Sequence, residues 1–131
     1  MPELVIIRGL PGSGKSTIAK KDDSFDGYAH FEADMYFLDD TGQYLFDPAK
    51  LKEAHEWCFA AAQSCLIHGR NVVVCNTFSR LWEMQRYLDL GFPTKVIKAT
   101  GNYRNVHGVP NHTIENMRAR WEDYDGEVEY I

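Results

Sequence analysis

Nine consecutive residues, Gly9-Leu10-Pro11-Gly12-Ser13-Gly14-Lys15-Ser16-Thr17, have the types and spacing that phosphate chemistry needs. They satisfy G-x-x-x-x-G-K-[ST], the pattern of a phosphate-binding P-loop. Glycines let the backbone curl so that the N–H groups of Leu10 to Thr17 turn inward onto phosphate oxygens. Lys15 reaches the β and γ phosphates as a mobile point charge. The Ser16 hydroxyl is a ligand for Mg²⁺. A helix starting here aims the positive end of its dipole at the anion. ATP with Mg²⁺ is the ligand pair this pattern implies.

Phosphoryl transfer further needs a base for the acceptor and charge to offset the transferring group. Asp34 is the candidate base, and a metal ligand directly or through water. Arg104, in a glycine-containing connection, is the candidate cation over the phosphoryl group. Many P-loop enzymes add an aspartate at the end of the neighbouring strand. Here that stretch reads Val74-Cys75-Asn76-Thr77, and Asn76 offers only a hydrogen bond to a metal-bound water. Plainer roles stay open beside these: capping or turn formation for Asp34, a solvated loop position for Arg104. Arg118 and Arg120 are weaker candidates. Glu115 and Glu122 lie at helical distances from Arg118, so an ion pair within the helix accounts for it. His55 reads as packed or half-exposed.

The elements that must hold these residues follow from apolar spacing. Pro2 to Arg8 is an apolar run like a buried parallel strand, and a short helix opens at Ser16. Tyr28 to Glu32 reads as a second strand, with Asp34 just past its carboxyl end. Asp47-Pro48 starts a helix, with Leu51, Ala54, Cys58, Ala61, Ala62 and Cys65 inward and Gly69 closing it. Asn71 to Cys75 is a strand. Ser79 to Leu90 is a helix, its inward set Leu81, Met84, Leu88 and Trp82. Thr94 to Ala99 is a strand, Asn111 to Asp123 a helix, and Val128 to Ile131 a short last strand. This alternation predicts an α/β fold of the P-loop NTPase type, three layers αβα, with a mainly parallel sheet of four or five strands.

The 131 residues, 44% of them hydrophobic, make one domain spanning 1–131. No apolar run is long enough to cross a membrane, and the N-terminus lacks a basic leader. Cys58, Cys65 and Cys75 have no metal-ligand spacing, so free cytosolic thiols and a cytoplasmic location are expected. Residues 1–65 hold 6 Lys/Arg and 11 Asp/Glu, residues 66–120 hold 8 and 3, and residues 121–131 hold 0 and 5. The basic middle block suits a nucleic acid or a nucleotide, or is simply the surface around an ATP site.

Gly9 to Thr17, Glu32-Ala33-Asp34-Met35-Tyr36-Phe37, Asn76-Thr77, Arg104 to Pro110 and Met117-Arg118-Ala119-Arg120-Trp121-Glu122 together resemble the polynucleotide-kinase-like P-loop kinases. The resemblance spans nearly the whole chain. It implies transfer of the ATP γ-phosphate to a nucleic-acid hydroxyl, at a 5′ end or on a hydroxymethyl-pyrimidine base. It implies phosphate and metal roles for Lys15 and Ser16, a general base in Asp34 and a lid arginine in Arg104. The family often has two aspartates where this chain has Asp34-Met35, and Asp-Thr-Asn where it has Asn76-Thr77-Phe78. Tyr36, Phe37 and Phe78 are candidate stacking residues for a base. A kinase of a small metabolite or nucleotide, a toxin-like kinase of a sugar nucleotide, and a nucleotide-binding module with little chemistry are the other readings.

Overall fold

The apolar run near the N-terminus is a strand, and the sheet grows outward from it. The computed structural model describes residues 1–101 and 108–130. Its strands are β1 (Leu4–Arg8), β2 (Ala29–Phe31), β3 (Val72–Asn76), β4 (Thr94–Ala99) and β5 (Val128–Tyr130). They lie in the order β2-β3-β1-β4-β5, and every pairing is parallel. The expected α/β sheet is therefore five strands wide. β1 and β3 are buried along their whole length, as their continuous apolar runs require of central parallel strands.

Strand alternation sorts the core into two layers. Leu4, Ile6, Val72 and Val74 face α2 (Leu51–Ile67), which lays Ala54, Cys58, Ala62 and Leu66 on them, and α3 (Leu81–Leu88), which adds Met84 and Tyr87. Three of those four α2 residues are small, so the helix sits close to the sheet. Val5, Ile7, Val73, Cys75 and Ile97 face the other way, toward Phe25 and the Ile18 and Ala19 of α1 (Lys15–Lys21). All strands run the same way, so their carboxyl ends share one edge, where ligands bind in open α/β sheets. At that edge the Gly9 N–H donates to the Thr77 carbonyl at 3.2 Å, tying the P-loop to the end of β3.

Several expectations change. A 3₁₀ turn (Pro48–Lys50), capped by the Asp47 side chain, precedes α2. Trp82 is 74% exposed, because the buried side of α3 is Met84 and Tyr87. The last helix, α4 (Asn111–Ala119), stops before the expected Asp123. Trp121 leaves it to lie beneath Arg8, whose Cζ is 4.1 Å from the ring centroid.

Arg8 itself is fully buried at the end of the central strand. Its Nε and Nη2 donate to the Phe78 carbonyl at 3.1 and 2.6 Å, and Nη2 also donates to the Glu122 carbonyl at 2.6 Å. Its Nη1 pairs with Glu127 Oε1 at 3.0 Å. A buried guanidinium is tolerated only when its donors are met in this way.

Candidate active site

The P-loop leaves β1 at Gly9 and enters α1 at Lys15. Gly12 and Gly14 have φ of 82° and 93°, the left-handed region where a side chain is strained, so the curl depends on glycine at both positions. Lys15 Nζ donates to the carbonyls of Gly9 at 2.9 Å and Leu10 at 3.1 Å. Burial holds its pKa below the usual lysine value, against the opposing pull of the Glu32 and Asp34 carboxylates. The Ser13 hydroxyl is buried inside the loop with no partner among the described residues.

Ser16 donates its hydroxyl to Glu32 Oε2 at 2.5 Å, and His30 Nε2 contacts the same oxygen at 2.7 Å. Burial pushes the Glu32 carboxyl up. Hydrogen bonds from His30 and Ser16 and the charges of His30 and Lys15 outweigh it, so the group sits below its ordinary value. Sequence reasoning gave Glu32 no role. Its signal was position: it is the first residue beyond β2, on the same edge of the sheet as the P-loop. Cys75, next to it on β3, is a neutral thiol that burial pushes well up.

Asp34 lies in a 3₁₀ turn (Ala33–Phe37) that follows Glu32. Tyr44 donates its hydroxyl to Asp34 Oδ1 at 3.2 Å. Burial and the Asp34 charge push the Tyr44 phenol up to about 12. Asn76 is buried, and its amide is engaged by the fold. Oδ1 accepts the Ala33 N–H at 2.9 Å, and Nδ2 donates to Cys58 Sγ at 3.7 Å. Through Ala33 it fixes the turn that carries Asp34.

Lys15, Ser16, Thr17, Glu32, Asp34 and Asn76 open into one cavity of about 700 Å³. Leu10 and Ser13 line a second cavity on the far side of the loop, shared with Arg118. His55 is half-buried on the wall of the first, and burial lowers its pKa. Arg120 also lines it, its Nε donating to Ser79 Oγ at 2.9 Å, while Ser79 donates to Glu83 at 3.1 Å. Arg118 pairs with Glu115 at 3.5 Å, as the helical spacing predicts. Arg104 lies outside the described residues.

The aromatic candidates are redistributed. Phe37 and Phe78 are core residues. Tyr36 packs on Phe37 and Trp57 and donates its hydroxyl to Glu53. The rings beside Asp34 belong to Tyr44 and Phe46, nearly parallel at 10° with centroids 6.3 Å apart, and both line the cavity. They follow the Asp39-Asp40-Thr41-Gly42 turn, which folds Tyr44 back onto Leu38 in a short antiparallel bridge.

A family model described as an AAA domain matches residues 4–99. NEDD4-binding protein 2 of Homo sapiens is 31% identical over 137 residues, covering 92% of this chain. This chain spans only 8% of that protein's length. Among solved structures, a chain of the Pnkp1/Rnl/Hen1 RNA repair complex superposes with a TM-score of 0.68 at 22% identity, over 91% of this chain and 43% of its own length. A gluconokinase from Sinorhizobium meliloti 1021 superposes with a TM-score of 0.63 at 16% identity, over 98% of this chain and 81% of its own. At such identities these two structures speak for the fold.

Proposed function

The chain belongs to the AAA domain family, with a P-loop kinase-like fold, and from that premise we propose that it transfers the γ-phosphate of ATP to a hydroxyl on nucleic acid. The observation that carries this reading is the meeting of donor and acceptor groups in one cavity, with Lys15 and Ser16 on one wall and Asp34 on another. Lys15 exchanges its two loop carbonyls for phosphate oxygens when nucleotide enters. Asp34, oriented by the Tyr44 hydroxyl, takes the proton of the acceptor. Arg120, held by Ser79 on the cavity wall, is the cation placed to meet the phosphates, and the resemblance implies the same task for Arg104. The Ser16 hydroxyl and Asp34 carboxylate are hard oxygen donors suited to Mg²⁺, which supplies charge neutralisation when bound.

A nucleic-acid acceptor is favoured by the Tyr44 and Phe46 rings beside Asp34, since flat apolar surfaces suit bases better than they suit polyols. The test is transfer of labelled γ-phosphate in Mg²⁺ to 5′-hydroxyl oligonucleotides, to duplex bearing hydroxymethyl-pyrimidines, and to sugars such as gluconate. Label on either nucleic acid supports the reading. Label confined to a sugar makes this a small-molecule kinase, and ADP binding with no transfer to any acceptor leaves a binding module.

A further inference from the structure

P-loop sites commonly hold Mg²⁺ between the loop Ser/Thr and an aspartate on the neighbouring strand. Here that strand is β3, and its last residues, Val74, Cys75 and Asn76, include no acid. An acid comes instead from one strand farther out. β2 pairs with β3 in parallel with Phe31 opposite Val74, and the next step in that register sets Glu32 beside Cys75. A Glu32 carboxylate oxygen, Cys75 Sγ and a His30 ring nitrogen all lie within 4.8 Å of one another. Ser16, the loop's own metal ligand, donates to that carboxylate at 2.5 Å.

We propose that Glu32 supplies from β2 the metal-directed carboxylate that β3 lacks, so that it joins Ser16 and Asp34 in the protein's half of the Mg²⁺ site. The proposal rests on the phosphotransferase reading above. A cation responds to charge at a point, whichever strand delivers it. A short side chain from β3 and a longer one from the end of β2 reach the same place. The hydrogen bonding fits that task. By donating its one proton to Glu32, Ser16 keeps its lone pairs for a cation. Ser16 and His30 both bond Oε2, and Oε1 accepts nothing from the described residues. His30 thereby holds the carboxylate in place while one oxygen stays available. The hydrogen bond to a metal-bound water expected of Asn76 adds no charge, and Glu32 is the residue that adds it.

The test is ADP affinity by calorimetry, in EDTA and in Mg²⁺, with the fold of each variant checked by its thermal melt. In the wild-type chain Mg²⁺ tightens ADP binding. Glu32→Gln keeps a metal-free ADP affinity equal to or above wild type, and loses about tenfold in the tightening by Mg²⁺. Glu32→Ser combined with Cys75→Asp moves the charge back to β3 and restores the tightening. Should that pair fail to fold, Glu32→Asp decides, because it keeps the charge and retains more of the Mg²⁺ effect than Glu32→Gln. Full Mg²⁺ tightening in Glu32→Gln overturns the proposal, as does a thiolate absorption band with Co²⁺ that depends on Cys75. Wild-type chain that binds no ADP in either buffer overturns the kinase reading itself.

Discussion

Asn76 Oδ1 accepts the Ala33 N–H at 2.9 Å, so the end of β3 holds the turn that carries Asp34. Asn76→Ala leaves that buried N–H without its partner, which costs about 1–3 kcal/mol. Transfer activity falls further than ADP affinity, because the turn moves the acceptor side and leaves the P-loop in place. Urea denaturation gives the first number, and the ratio of losses in kcat and in ADP Kd gives the second. Equal losses in both would show that Asn76 supports the whole site rather than Asp34.

Asp34→Asn keeps the shape and removes the carboxylate proposed as the base. ADP binding stays within about twofold of wild type, while transfer drops by roughly 10²- to 10⁴-fold. Tyr44→Phe removes the hydroxyl that orients Asp34 and lowers transfer less. The Tyr44 phenol, raised to about 12, stays protonated and bonded to Asp34 below its usual value of 10. Its contribution to stability is therefore complete below pH 10 and disappears as pH rises through about 12. A variant at Asp34 with near-normal turnover in a labelled-phosphate assay removes it from the chemistry.

Lys15→Met separates binding from stability. Losing charge-assisted bonds to phosphate weakens ADP by roughly 10- to 100-fold. In the nucleotide-free chain the readout is pH dependence, because burial disfavours the Lys15 ammonium. Its folded pKa lies below the unfolded value of 10.5, so between the two the unfolded chain binds more protons and stability rises with pH. Below the folded pKa the full penalty of the buried charge is present. Relative to the variant, wild type therefore gains stability as pH rises from 7 toward 10.5. Melting curves at both pH values, without nucleotide, check this.

Gly9 is needed for space. A Cβ there would lie 2.3 Å from Ser13 Oγ and 2.9 Å from the Ala99 carbonyl. Gly9→Ala overpacks the root of the loop, at about 1–3 kcal/mol, and weakens ADP binding. Adding Ser13→Ala relieves the first contact only, since the Ala99 oxygen is backbone. The double variant recovers part of the stability and part of the affinity in the same melts and titrations. Complete recovery would mean that the Ser13 hydroxyl alone sets the requirement.

What the sequence disclosed divides by distance along the chain. The P-loop was legible because its residues are contiguous and its strand and helix adjoin it. β4 was legible to the residue, Thr94–Ala99, bounded by Pro93 and by the polar stretch after it. Contacts that depend on strand order were not. Ser16 and Glu32 meet only because β2 lies outside β3, which no apolar run encodes. Helical spacing continues through Met117 to Trp121, yet the helix ends because Trp121 is taken by Arg8. Tyr44 and Phe46 were passed over because no regular element contains them. Arg8 was read only as part of the apolar run from Pro2, since its partners come from Phe78, Glu122 and Glu127, far along the chain.

That last arrangement sets where the protein can be cut. The family match ends at Ala99, but the central strand does not stop depending on the chain there. A fragment ending at residue 99 keeps the P-loop, Asp34 and Glu32, and loses the Glu122 carbonyl, the Glu127 carboxylate and the Trp121 ring that receive the Arg8 guanidinium. Its Arg8 guanidinium would keep the Phe78 carbonyl but lose its carboxylate partner and the ring that covers it, opening the end of the central strand to water. The stretch after α4 is thus an internal counterion for the middle of the sheet.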